Sequence, residues 1–185
     1  MSFLPEGYVE PASGSEKYYK LKQGENTFRI LGPSVVGNMG WTMVNGKKKP
    51  IRKRVTDNFE VGEVDLETLK HFISFPVWNY DKKKVQVAEF TQSGIRKAIV
   101  GYANKASWGD PTQYDIVIVR EGEGMDTEYH VTPEPKSSLS QDAAEAWENV
   151  KKNFDLNRIF SGGDPFEPLQ AKAADEINID DIPFK

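Results

Sequence analysis

Seven cations and no acid fall between residues 26 and 56: Arg29, Lys47, Lys48, Lys49, Arg52, Lys53 and Arg54. Charges this dense repel one another, so the run is either a solvated loop or a surface held ready for an anion. The aromatic residues favour the second reading. Trp41, Phe75, Trp78, Tyr80, Tyr102 and Trp108 are interleaved with Arg29, Lys82, Lys83, Lys84, Arg96 and Lys105. Flat rings that stack on bases, beside cations that follow phosphates, are the chemistry of a single-strand groove. A duplex reader instead aims side chains of a helix or ribbon at base edges, and no helical stretch here is basic enough for that. The candidate nucleic-acid contacts are therefore Arg29, Trp41, Lys47, Lys48, Lys49, Arg52, Lys53, Arg54, Phe75, Trp78, Tyr80, Lys82, Lys105 and Trp108.

Catalytic chemistry has little to work with. The chain has no cysteine, which excludes disulfides, thiolate metal sites and cysteine nucleophiles. His71 and His130 are its two histidines, and His130 lies in an alternating stretch that reads as an ordinary strand. Asp115, Glu128 and His130 lack the spacing of a metal site. The Gly-Glu-Gly and Ser-Gly-Gly stretches are turns and do not precede a basic helix as a phosphate loop would. No catalytic residue, metal or cofactor is expected.

The elements that must carry these residues are mostly strands. "KYYKLKQGENTFRIL" alternates around a Gly-Glu-Asn turn, and "WTMVNGKKKPIRKRV" places Asn45-Gly46 between two extended runs. That dipeptide is a strong two-residue hairpin cue, because a type I′ turn needs positive φ at both central positions. Pro50 then belongs at a sheet edge or bulge, since it cannot donate to a ladder. "FISFPVWNYDKKKVQVAEF" reads as a second hairpin with Asp81 to Lys84 at its tip, with Trp78 and Tyr80 on one face. Ile95, Ala98, Ile99, Tyr102 and Ala103 then recur with helical period. A strand, a Gly-rich turn and another strand follow, and then a second helix capped by Ser138 or Ser140. Five or six strands and two helices, without alternation of strand and helix, suit a mainly β, OB-fold-like Greek-key barrel. Tyr18, Phe28, Phe90, Tyr114, Trp147 and Phe154 are the expected core aromatics.

Three segments are expected: a flexible arm over 1–16, an OB-like single-stranded-DNA-binding domain over 17–160, and a disordered acidic tail over 161–185. Residues 164–185 hold six acids against two lysines, a balance of −4 that equals the whole chain's net charge. The start of the sequence is not that of a secretory leader and no apolar run is long enough to span a membrane, so the reading is a soluble intracellular protein without a membrane partner.

The "GW…NGKKKPIR" hairpin, "FPVWNYDKKKVQVAEFTQSGIRKAI" and the acidic end resemble the tailed-bacteriophage single-stranded-DNA-binding proteins, over roughly residues 17–135 plus the terminus. The resemblance implies an OB-fold whose groove is lined by Trp41, Lys47 to Lys49, Arg52, Arg54, Trp78 and Tyr80. It also implies sequence-nonspecific binding and protection of single-stranded DNA in phage replication, recombination and repair, in the cytoplasm of the infected bacterial host. The zinc held through Cys and His in some members does not carry over, for want of cysteine. "DDIPF" is similar to the C-terminal tip of bacterial single-stranded-DNA-binding protein, which docks on replication and repair enzymes. That likeness makes Asp180, Asp181, Ile182, Pro183 and Phe184 the candidate partner contacts, although Lys185 moves the terminal carboxylate one residue beyond Phe184. A single-stranded-RNA chaperone and a protein-interaction adaptor that binds no nucleic acid stand as alternatives.

Overall fold

Asn45 and Gly46 adopt φ values of 49° and 72°, the positive pair that a type I′ turn demands. They join β2 (Val35–Val44) to β3 (Lys47–Arg54). The structure, a computed structural model, describes residues 14–167. Within them the other strands are β1 (Gly24–Ile30), β4 (Lys70–Asn79), β5 (Lys84–Phe90), β6 (Asp115–Glu121) and β7 (Glu128–Pro133). The helices are α1 (Gly14–Lys17), α2 (Ser93–Ala103) and α3 (Gln141–Lys151). Ser140 caps α3, its hydroxyl accepting from the Ala143 amide, as the sequence allowed. The fold is mainly β, with one strand more than the upper expectation and one extra helical turn, α1.

All seven strands belong to one antiparallel sheet of order β3-β2-β4-β1-β6-β7, with β5 on the other edge of β4. The path ends at β3 and β7, which do not pair, so the hydrogen-bonded sheet does not close on itself. β3 is an edge strand, and Pro50 sits on it opposite Trp41, where a missing donor does least harm.

β4 is the hub. One of its edges pairs with β2 over residues 70–74 and then with β1 over 77–79, while the other pairs with β5 over 73–79. Phe72 to Asn79 are all buried. On the first face Ile73, Phe75 and Val77 join Phe28, Ile30, Phe90 and Ile116 beneath Ile95 and Ile99 of α2. On the second face Trp78 packs with Leu31 and Val85 under Ala143 and Trp147 of α3. Phe72, Met39 and Val87 lie next along that face, under Leu156 and Ile159 of a 3₁₀ segment, Leu156–Ser161. Of the expected core aromatics, Phe28, Phe90 and Tyr114 are fully buried, whereas Tyr18, Trp147 and Phe154 are half-buried under the second face.

Residues 161–167 belong to the folded body, which moves the expected boundary at residue 160. Gly162 ends the 3₁₀ segment in the left-handed region at φ 74°. The Asp155 amide donates to the Pro165 carbonyl at 3.0 Å, Asp164 pairs with Lys17, and the Phe166 ring meets Phe154 edge-on at 5.2 Å. Asp180, Asp181, Ile182, Pro183 and Phe184, and most of the expected N-terminal arm, lie outside the described residues. No described helix is long and apolar enough to cross a membrane.

One charged group is sealed into this fold. Arg29 of β1 is 1% exposed. Its Nε donates to Asp115 Oδ1 at 2.6 Å, its Nη2 to Ser137 Oγ at 2.7 Å, and its Nη1 to the carbonyls of Ser137 and Thr112 at 3.1 and 3.3 Å. A guanidinium out of water is tolerable only with its donors matched in this way. Arg29→Met is therefore expected to cost about 3–5 kcal/mol, because it leaves two carbonyls without their donor and the Asp115 carboxylate without its cation. Urea unfolding checks this, and a loss below about 1 kcal/mol would mean that the network adds nothing net.

Candidate nucleic-acid interface

The expected contacts separate sharply once side chains are placed. Arg29, Phe75 and Trp78 are corrections: each is at most 4% exposed and none can meet a strand of nucleic acid. Arg29 is held by Asp115, Phe75 faces α2, and Trp78 is roofed by α3. Alternation correctly put Trp78 on one face of its strand, but that face is covered.

Arg52 is also engaged. Its guanidinium makes a two-pronged pair with Glu89, at 2.7 and 2.9 Å, with both side chains 12% exposed. Burial alone would lower its pKa, but the hydrogen bond and charge of Glu89 outweigh this and raise it. Lys53 turns toward the chain after β3, where its Nζ bonds Glu63 at 2.7 Å and the Asn58 carbonyl at 3.0 Å. Tyr80 is half-buried, and its hydroxyl donates to Asp115 at 2.8 Å. Burial, and then that bond, push its pKa up to about 12. Trp108 is half-buried in the first-face cluster, edge-on to Tyr102 and Tyr114, with Lys105 Nζ 5.8 Å from the Tyr102 ring. Lys82 is exposed at the turn after β4, roughly 30 Å of strand from Lys70 at the start of β4.

What remains is one compact surface on the outer hairpin. The β2–β3 register sets Trp41 opposite Pro50 and Met43 opposite Lys48, and the β2–β4 register sets Lys70 opposite Met39. Side chains of paired and alternate residues share a face, so Trp41, Met43, Lys48 and Lys70 stand together on the second face, past the cover of the 3₁₀ segment. Lys48 and Lys70 hold their ammonium groups 6.0 and 5.8 Å from the Trp41 ring centroid. Trp41 is half-buried, Met43 is 63% exposed, and Lys47 to Lys49 are exposed. Among the described residues no carboxylate pairs with Lys47, Lys48, Lys49, Arg54 or Lys70. The opposite face of the hairpin is closed by the segment between β3 and β4, which brings Val64 and Leu69 against Gly40. A Cβ at Gly40 would lie 2.8 Å from the Val64 side chain.

Nothing local in the sequence marks Lys70, which lies outside the basic run at the head of an apolar strand. The signal that finds it is the pairing of that strand with β2. Asp115 sits with Arg29 at one end of β6, while Glu128 and His130 lie toward the other, beside Glu121. Compared with known proteins, the chain matches no family model and no curated relative.

Two predictions separate core from surface. Trp78→Ala is expected to destabilise the fold by about 3–5 kcal/mol as a large core truncation, and Trp41→Ala by about 1 kcal/mol or less. Thermal melting of both variants checks the contrast, and similar losses would erase the distinction drawn between the two rings. At alkaline pH, Tyr80 and Tyr19 both ionise near 12 instead of the ordinary 10. Folding favours their neutral form, so the stability they supply is whole below pH 10 and is lost as pH rises through 12. Tyr80→Phe should shrink that loss in alkaline unfolding followed by circular dichroism.

Proposed function

We propose that the protein binds single-stranded nucleic acid without sequence preference, through the outer face of the β2–β3 hairpin. The observation that carries the reading is Trp41, set between the ammonium groups of Lys48 and Lys70 on an edge hairpin with no acid along its strands. A base stacks on the exposed part of the indole, and the flanking lysines meet the phosphates on either side. Met43 extends the apolar floor on which a neighbouring base can rest.

Single-stranded DNA is the preferred ligand class, supported by the residues that resemble the phage DNA-binding proteins. Protection of that strand during replication, recombination and repair, recruitment of partner proteins by the tail and action in an infected bacterial cytoplasm are parts of the same proposal. Nothing in the hairpin's geometry selects deoxyribose over ribose, so RNA is the comparison that the experiment must include. An adaptor role without nucleic acid leaves the free cations around Trp41 without a purpose.

Titration with a labelled oligonucleotide at several salt concentrations tests the reading. With Lys48 and Lys70 on phosphates, log affinity should fall against log salt with a slope of about −1.4. Trp41→Ala should weaken binding by about 1–3 kcal/mol, and duplex DNA should bind far more weakly. A flat salt response or equal duplex affinity sinks the proposal, and a tighter grip on RNA of the same length replaces its DNA half.

A further inference from the structure

The hairpin face ends at a concavity. Where β3 finishes, a cleft of about 670 Å³ opens between the β1–β2 connection and the segment after α3. Its walls include Val35, Pro76, Trp147, Phe154 and Asn157, with Arg54 at the rim. Trp147 and Phe154 are half-buried and meet edge to face at 5.4 Å, forming a continuous aromatic wall.

Two cations line this cleft, and among the described residues they differ in their partners. The Arg54 guanidinium is exposed, rests 4.6 Å above the Phe160 ring, and pairs with no carboxylate among the described residues. Lys151 is occupied by Glu148. The carboxylate of Asp155 accepts from the Asn157 amide at 2.9 Å and caps the 3₁₀ turn. An aromatic wall beside an unpaired, ring-braced guanidinium suits a base joined to a phosphate. Guanidinium also holds phosphate with more directional bonds than lysine does.

We infer that this cleft is a second nucleotide subsite for the strand bound at Trp41, with a base against Trp147 and Phe154 and a phosphate on Arg54. The inference rests on the single-strand reading of the hairpin. Arg54 lies opposite Gly37 and Lys48 opposite Met43, on the same face of the same ribbon, about 20 Å apart along β3. Between them Arg52 is consumed by Glu89, and Lys70, opposite Met39 as Arg52 is, belongs to the first anchor, so Arg54 is the next available cation along this face among the described residues. The result is two neighbouring anchors on one face. Once the first anchor is filled, the second binds at the effective concentration set by the tether of nucleotides.

Such an arrangement makes the contribution of Arg54 depend on length. An oligothymidylate of about 2 nucleotides is too short to join Trp41 to Arg54, whereas one of about 15 lies within the range that a single-strand-binding module occupies, and anisotropy of a fluorescent end label reads their binding. Arg54→Gln should leave the short oligonucleotide unchanged and weaken the long one about tenfold, whereas Trp41→Ala weakens both. Photocrosslinking with 5-iodouracil in wild-type protein should mark Trp41 with either length, and Trp147 or Phe154 only with the long one. Equal loss for both lengths in Arg54→Gln would show diffuse charge instead of a subsite. No loss at all, or an absence of adducts on Trp147 and Phe154, removes the subsite while binding at Trp41 stands. Failure of wild-type protein to bind either oligonucleotide removes both readings.

Discussion

The rest of the molecule is arranged around β4. A strand paired on both edges has no edge left for solvent, and here both faces are covered as well, which is why "FISFPVW" reads as a continuous apolar run instead of an alternating one. Its polar members are matched inside the sheet. Ser74 donates to the Ala88 carbonyl at 2.9 Å and Asn79 to Gln86 at 2.7 Å. Pro76 would be out of place in most central strands. It falls in the gap where one edge changes partner, after the β2 pairing ends at Ser74 and before the β1 pairing starts at Val77.

From that switch of partner the candidate site follows. β2 leaves β4 at its first half, so the β2–β3 hairpin extends beyond the part of the sheet that α3 and the 3₁₀ segment roof over. Cations then fall into two groups according to the company they keep. Arg29, Arg52 and Lys53 meet carboxylates and hold elements together. Lys47, Lys48, Lys49, Arg54 and Lys70 project from the hairpin or its border without such partners among the described residues. A run that looks uniform in sequence is thus divided between architecture and surface.

Local signals were legible and distant ones were not. Asn45-Gly46, the edge position of Pro50, the helical period of Ile95 and Ile99, and the capping of α3 by a serine each depend on a few neighbouring residues, and each is as expected. In the sequence Arg29 resembles a groove cation because its partner, Asp115, is 86 positions away. The same holds for Arg52, with Glu89 37 positions on. For Trp78 the period of two identified its face correctly, but the roof over it comes from α3, more than sixty residues later. The same long reach hid Lys70, whose place beside Trp41 is a matter of strand register and not of spacing.

The lysine-studded edge of β3 has a consequence for how copies of this chain meet. An unpaired strand edge invites another strand to add to it, and dense like charge together with a proline is a known guard against that. In free solution β3 therefore repels its own kind. Phosphates laid along it would cancel the charge and leave Pro50 as the main obstacle that remains. A chain of this design would stay apart from its copies until a polyanion brings them side by side, so crowding on a shared ligand, and not concentration alone, would govern its self-association.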